Sequence, residues 1–243
     1  MHGVKLVNEM KVKGFALALA LCLGAIGCGG GGSSSGSINI RTVMLVRGST
    51  QVTVSGSQSG NLITMLAPPV LTGFEAYSTS PQTFTATDVG VSPNVTLASF
   101  AETNPVANNF YTLYVTGIEG SATLPPSMAL VQETPPTAST TASQIRFCNF
   151  STSIDETVDV YVTPVGANPS TTATFAGVAY GTITSYQSIV GGSYVIKITP
   201  AGNSATTLYT SGATTFQNGL VYTNYGGDSS ATQATLYSQQ DLY

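Results

Sequence analysis

Ser193-Tyr194-Val195-Ile196-Lys197-Ile198-Thr199, closed by Pro200-Ala201-Gly202-Asn203, is the stretch that decides the fold class. Tyr194, Ile196 and Ile198 occupy every second position while Lys197 points the other way, the period of a strand with one buried face. The Pro-Ala-Gly-Asn run that follows is a turn. Working outward, the same short alternating runs bounded by Gly, Asn, Asp, Ser and Pro predict strands at 144–150, 157–163, 172–175, 183–188, 206–209, 220–225 and 234–238. Seven or eight such strands in about 100 residues is the pattern of an immunoglobulin-like β-sandwich. Polar surface is supplied by Ser, Thr, Asn and Gln rather than by charges, and few segments suit a helix.

A second set of residues extends this reading to the whole chain. Tyr111-Thr112-Leu113-Tyr114 recurs as Tyr222-Thr223-Asn224-Tyr225, Ile40-Arg41 matches Ile145-Arg146, Tyr77 matches Tyr186, and Phe84 matches Tyr194. The offsets of these matches grow only from 105 to 111, as small loop insertions between two copies of one module would produce. The fold class expected is therefore all-β, with two tandem immunoglobulin-like antiparallel β-sandwich domains, 38–132 and 144–243. Between them, 133–143 reads as a linker, because Glu133-Thr134-Pro135-Pro136 runs into Thr, Ala and Ser.

Ile145-Arg146-Phe147-Cys148-Asn149-Phe150-Ser151, Val158-Asp159-Val160-Tyr161-Val162, Tyr186, Gly191-Gly192-Ser193-Tyr194-Val195 and Tyr222-Thr223 together resemble the bacterial domain-of-unknown-function 4397 family. The resemblance covers 144–238, and reaches 38–132 only through the repeat, where Gln51-Val52-Thr53-Val54 stands in place of Asp-Val-Tyr-Val. It implies a β-sandwich, export, often with a lipid anchor and often in tandem, and no established activity.

The N-terminal segment carries the signal for location. Lys5, Lys11 and Lys13 precede an apolar run from Phe15 to Ile26, and Gly27 and Cys28 follow. That is the order of a secretory signal, and the run is shorter than the roughly 20 apolar residues of a membrane span. Ala25-Ile26-Gly27-Cys28 resembles the lipobox of bacterial lipoproteins, which implies cleavage after Gly27 and lipidation of Cys28. Cys22 competes poorly, since Leu21 before it is bulky. Met10 offers a second start with a compact Lys-rich n-region. Residues 1–27 are thus read as a signal peptide, and 28–37 as a lipidated cysteine with a Gly/Ser tether. The nine residues from Gly29 to Ser37 would span about 17 Å as a flexible coil. Gly29, not an aspartate, follows the cysteine, which leans towards an outer-membrane location in the bacterial envelope.

Composition restricts the chemistry. Without residues 1–27 the chain keeps Arg41, Arg47, Arg146 and Lys197 against ten acids, a formal charge of −6, so there is no basic footprint for nucleic acid. The only histidine is His2, so Ser-His-Asp and Cys-His catalysis and the commonest metal ligand are missing from the exported form. Cys148 has no cysteine partner once Cys28 is lipidated, and alternation places it on the face of Phe150 as a small buried hydrophobe. Asp155, Glu156 and Asp159 form the one acidic cluster, which a carboxylate-dependent glycan hydrolase could use. A solvated loop with an aspartate at a strand entry is the simpler account, and no function is assigned to the cluster. The tyrosines invite a glycan-binding reading, but their alternation with other apolar residues places many of them in the core. The expectation is a non-enzymatic protein with no cofactor, metal or catalytic residue, held to a membrane by its lipid and binding an unidentified protein or glycan. The alternatives are the hydrolase and a structural or adhesive coat component with uncharged strand edges.

Overall fold

The computed structural model describes residues 36–137, 139–154, 156–168 and 171–243. The lipidation and cleavage positions Cys28 and Gly27, the start at Met10 and the acidic Asp155 lie outside them. Among the described residues every regular element is a strand. The first half contains β1 (Ser37–Met44), β2 (Val52–Gly56), β3 (Gly60–Leu66), β4 (Val70–Leu71), β5 (Glu75–Ser78), β6 (Gln82–Asp88), β7 (Val95–Glu102), β8 (Phe110–Thr116) and β9 (Ser127–Gln132). The second contains β10 (Ser143–Asn149), β11 (Val158–Pro164), β12 (Phe175–Val178), β13 (Gln187–Ile189), β14 (Gly192–Pro200), β15 (Tyr209–Thr210), β16 (Thr214–Phe216), β17 (Val221–Ser230) and β18 (Gln233–Asp241).

Each half folds into two sheets, and the two halves repeat one strand order. In the first, β4-β1-β8-β9, with β5 also on β1, faces β3-β2-β6-β7; in the second, β13-β10-β17-β18 faces β12-β11-β14-β15, with β16 also on β14. The sandwich architecture is the one expected. Its strand order is not the ABED and CFG order of antibody constant domains, because the first strand of each copy lies parallel to the eighth-position strand rather than beside the second. Those parallel pairs hold the same register: Ile40 opposes Tyr111 and Arg41 opposes Thr112, as Ile145 opposes Tyr222 and Arg146 opposes Thr223.

Register also corrects one sequence match. Ile40 pairs with Glu75 and Ile145 with Gln187, so the counterpart of Tyr186 is Phe74, not Tyr77. Counting identical residues picked the nearest tyrosine, whereas the pairing depends on backbone position. Three strands of the second half differ from expectation, and the one expected at 206–209 is reduced to Tyr209–Thr210 of β15. The segment expected at 183–188 pairs only from Gln187, with Ile183 making an isolated bridge to Cys148. The strand expected at 172–175 begins at Phe175, although Thr174 N already donates to Val160 O at 2.8 Å.

Three apolar clusters follow from the alternation. Ile38, Ile40, Met44, Leu113, Phe84 and their neighbours fill the first sandwich, and Ile145, Phe147, Ile196, Ile198, Phe216 and Tyr222 help fill the second. The third cluster joins the halves: Val43, Leu45 and Tyr114 of the first meet Cys148, Phe150 and Tyr225 of the second. Strands β1 and β10 therefore bury both faces, even-numbered residues of β1 inward and odd-numbered ones towards the other sandwich. This explains why Ile40-Arg41-Thr42-Val43-Met44-Leu45-Val46 is nearly continuous in apolar character, as expected of a strand covered on both sides. Cys148 is fully buried beside Phe150 as its face predicted, and burial pushes its thiol up to about 12, out of reactive range. The described residues pack as one compact unit with four sheet layers.

Because the seam shares one apolar cluster, the sandwiches should unfold together. Phe84→Ala in one and Phe216→Ala in the other should each cost about 3–5 kcal/mol and lower the midpoint of the same single calorimetric transition. Two transitions responding separately would show independent folding.

Candidate functional site: a cleft at the seam between the sandwiches

The seam carries charge as well as apolar surface. Arg41 and Arg146, matched in the repeat, sit on the seam faces of β1 and β10 and are 1 % and 5 % exposed. Each donates from Nε to the threonine opposite it, Arg41 to Thr112 Oγ1 and Arg146 to Thr223 Oγ1, both at 2.8 Å. Each threonine hydroxyl then donates to the acid at the end of the next strand: Thr112 to Glu133 Oε1, and Thr223 to Asp241 Oδ2 at 2.7 Å. The guanidiniums also cross the seam. Arg146 Nη2 donates to Glu133 Oε1 at 2.8 Å and stands 2.7 Å from Oε2, while Arg41 Nη1 pairs with Asp241 Oδ1. Arg41 Nη2 donates to Glu133 Oε1 at 3.2 Å within its own half.

Aromatic rings close this exchange. Arg41 lies 4.8 Å from the centre of the Phe74 ring and Arg146 4.7 Å from that of Tyr186, at the two equivalent positions. The Tyr186 hydroxyl donates to Asp241 Oδ2 at 2.9 Å, and Tyr243 packs on Phe74 and Phe110. Glu133, read from composition as the first residue of a solvated linker, is 4 % exposed. Its partners lie 92 residues before it and 13 after it, beyond any local reading.

At the other end of the parallel strands the seam opens into a cleft of about 580 Å³, within the size range of small-molecule sites. Leu45 to Ser49, Pro68, Pro69 and Ile118 of the first half form one wall, and Asp228 to Ala231 with Tyr237 of the second form the other. The second wall overhangs because β17 runs ten residues where β8 runs seven. Close approach there requires Gly226 and Gly227: a Cβ on Gly226 would lie 2.9 Å from the Phe147 ring, and one on Gly227 2.9 Å from the Tyr237 ring and 3.6 Å from Leu45.

The charged groups of the cleft differ in availability. Asp228 is spent on the loop after β10: Oδ1 accepts from the Ser151 hydroxyl at 2.6 Å and the Ser153 hydroxyl at 2.7 Å, and Oδ2 accepts from the Thr152 amide at 2.8 Å and hydroxyl at 2.6 Å. Arg47 is held by its backbone, its N–H donating to Gly117 O and its carbonyl accepting from Glu119 N, both at 2.8 Å. Its guanidinium donates across the seam to Ala231 O and makes no ion pair among the described residues.

Of the sequence-predicted acidic cluster, Asp159 and Glu156 are among the described residues and differ in surroundings. Asp159 is 8 % exposed, with Oδ1 accepting from Gly177 N and Oδ2 from Gly202 N, each at 2.8 Å, so it ties β12 to the turn after β14. Glu156 is exposed, and Asp155 lies outside the described residues. No group of three metal-capable side chains occurs among the described residues. The tyrosines of the repeated motif, Tyr111, Tyr114, Tyr222 and Tyr225, are all buried rather than displayed. Sequence reasoning missed Glu133, Asp241, Phe74 and the cleft; the signal present was an arginine at the same place in two apolar strands, each copy ending on an acid. No family model matches the chain, and no curated protein matches it.

Glu133 supplies the pH dependence. Burial alone would raise its carboxyl, but the hydrogen bond and charge of Arg146 and the charge of Arg41 outweigh burial and hold it below the usual carboxylate range. A carboxyl lowered on folding contributes stability that is complete above its unfolded value, near 4.5, and is lost as pH falls through the folded value. The thermal midpoint should therefore drop as pH is lowered below 4.5. Glu133→Gln should cost about 3–5 kcal/mol at neutral pH, since it strands buried guanidinium charge, and should flatten that acid slope. A variant as stable as the wild type would show that the ionic exchange does not hold the seam.

Proposed function

We propose that the protein is a non-catalytic binding protein of the bacterial cell envelope, anchored by a lipid on Cys28 and taking its ligand in the cleft at the seam. The observation that carries the binding reading is the cleft itself: a volume of about 580 Å³ with walls of mixed apolar and polar residues, built from both sandwiches and containing a guanidinium that makes no ion pair among the described residues. The non-catalytic reading is supported by the state of the buried carboxylates. Glu133 and Asp241 are committed to arginines, Asp159 to two backbone amides, Asp88 to the amides of Gly90 and Thr50, and the half-buried Asp228 to hydroxyls and an amide, the engagements of groups that hold turns and strands together.

The envelope reading rests on the Ala25-Ile26-Gly27-Cys28 pattern, on the Gly/Ser run after it, and on the resemblance of 144–238 to the domain-of-unknown-function 4397 family. No helix among the described residues is long and apolar enough to cross a membrane. Gly29 after the cysteine favours the outer membrane. A lipoprotein signal attaches more than one acyl chain, which is what stable anchoring takes.

Cys28→Ser expressed in a bacterial host should abolish incorporation of a labelled fatty acid and move the protein from the membrane to the soluble fraction. Retention of label would place the lipid elsewhere, and a labelled-free wild type in the soluble fraction would remove the anchor altogether.

A further inference from the structure

We propose that the seam cleft is specific for a small molecule bearing a single carboxylate on an apolar body, with Arg47 as the carboxylate-binding residue. The proposal rests on the reading of the cleft as the ligand site and names the class of ligand it takes.

Charge is the first argument. Outside the N-terminal segment the chain has four cations: Arg41 and Arg146 are paired with buried acids, and Lys197, bonded to the Ser204 carbonyl at 2.8 Å, lines a smaller cavity of about 230 Å³. Arg47 is the cation of the seam cleft, and among the described residues its guanidinium is bonded only to Ala231 O. A guanidinium carries five N–H donors in a planar fork, so one carbonyl leaves a face of the fork open for a carboxylate to accept two parallel bonds. The nearby acid does not compete. Asp228 is saturated by the Ser151–Ser153 loop, and the Glu119 carboxylate accepts from the Ser49 hydroxyl at 2.7 Å.

The lining then separates a carboxylate from a phosphate. A phosphate carries up to two charges and several acceptor oxygens, and calls for several cations or a nest of backbone amides. The cleft offers one cation in a chain of net negative charge. Two of its hydroxyls donate to the protein, Ser49 to Glu119 and Ser229 to Gln233 O at 3.2 Å, which leaves Ser230 as a further donor on the lining. The remainder of the surface, Leu45, Pro68, Pro69, Ile118 and Tyr237, suits an apolar or aromatic body. One carboxylate on such a body needs no more than the Arg47 fork and this wall provide, with the Asp228 carboxylate of the same lining held by the Ser151–Ser153 loop.

The bond from Arg47 to Ala231 also clasps the β1–β2 loop to the β17–β18 hairpin, and a purely structural clasp would need no ligand. A matched pair of probes distinguishes the two roles. N-acetyl-4-fluorophenylalanine and its carboxamide differ only in the carboxylate, and fluorine relaxation reports their binding to the full-chain protein in mild detergent. The acid should bind about tenfold or more tightly than the amide. Arg47→Met should remove that preference, and Arg47→Lys should restore it only in part, because an ammonium lacks the fork. Ser229→Trp on the exposed hairpin should block both probes. Equal binding of acid and amide, both lost in Ser229→Trp, would overturn the carboxylate specificity while keeping the cleft as a binding site. Unchanged acid binding in Arg47→Met would do the same. Failure of both probes to bind at low millimolar concentration would overturn the specificity and the cleft reading together.

Discussion

Two arginines exchange partners across the seam, and the rest of the structure is arranged so that they can. Burying four ionised groups costs several kcal/mol per ion before any attraction is counted, so the exchange is tolerable only when every charge is met. Here Arg41 and Arg146 are each met by an acid from the other half, by a threonine from the adjacent strand and by an aromatic face. Such a network is a weak source of net stability but a strict constraint on geometry. Slipping β1 by one residue against β8 would carry Arg41 from Thr112 into the core of its own sandwich and bring an aliphatic side chain to the acids. The parallel register, the end points of β9 and β18 and the apposition of the two sandwiches are thus tied to one set of hydrogen bonds.

The apolar seam and the ionic seam divide the work along the strands. Near the start of β1 and β10 the arginines set position; further along, Val43, Leu45, Tyr114, Cys148, Phe150 and Tyr225 supply buried area. Beyond them β17 outruns β8, and the two halves part into a cleft instead of closing. The cleft is therefore a product of unequal strand length in two otherwise equivalent copies. A symmetric pair would have left no overhanging hairpin to form its second wall. The placement of Arg47 follows from the same geometry, since it continues β1 by one bridge to Ile118 and so reaches the hairpin.

Much of the fold was legible because strand alternation is local. Tyr194, Ile196 and Ile198 fall on one buried face as their spacing required, and the Tyr-Thr repeats occupy the same register in both halves. Cys148 was placed correctly by alternation, on the face of Phe150. The misreadings share one cause. Glu133 opens a stretch of Thr, Pro and Ala whose composition is that of a solvated connection, and Tyr186 has a tyrosine at a plausible offset in Tyr77. In each case the deciding partner is remote in sequence, Arg41 for Glu133 and the Ile145–Gln187 pairing for Tyr186.

By itself the sequence determined that this is an all-β protein made of two similar halves, because periodicity, turn residues and repeated motifs act over a few residues and survive in one dimension. It also determined that the described part has almost no free positive charge to offer, since that is a matter of counting. Tertiary structure alone decided that the halves share a buried ionic seam, that an apparent linker residue is its centre, and that Arg47 faces a cleft while its fellow arginines do not. Those outcomes depend on which faces of separate sheets meet, and a charge in a strand looks the same on paper whether the surface opposite it is water or another sheet.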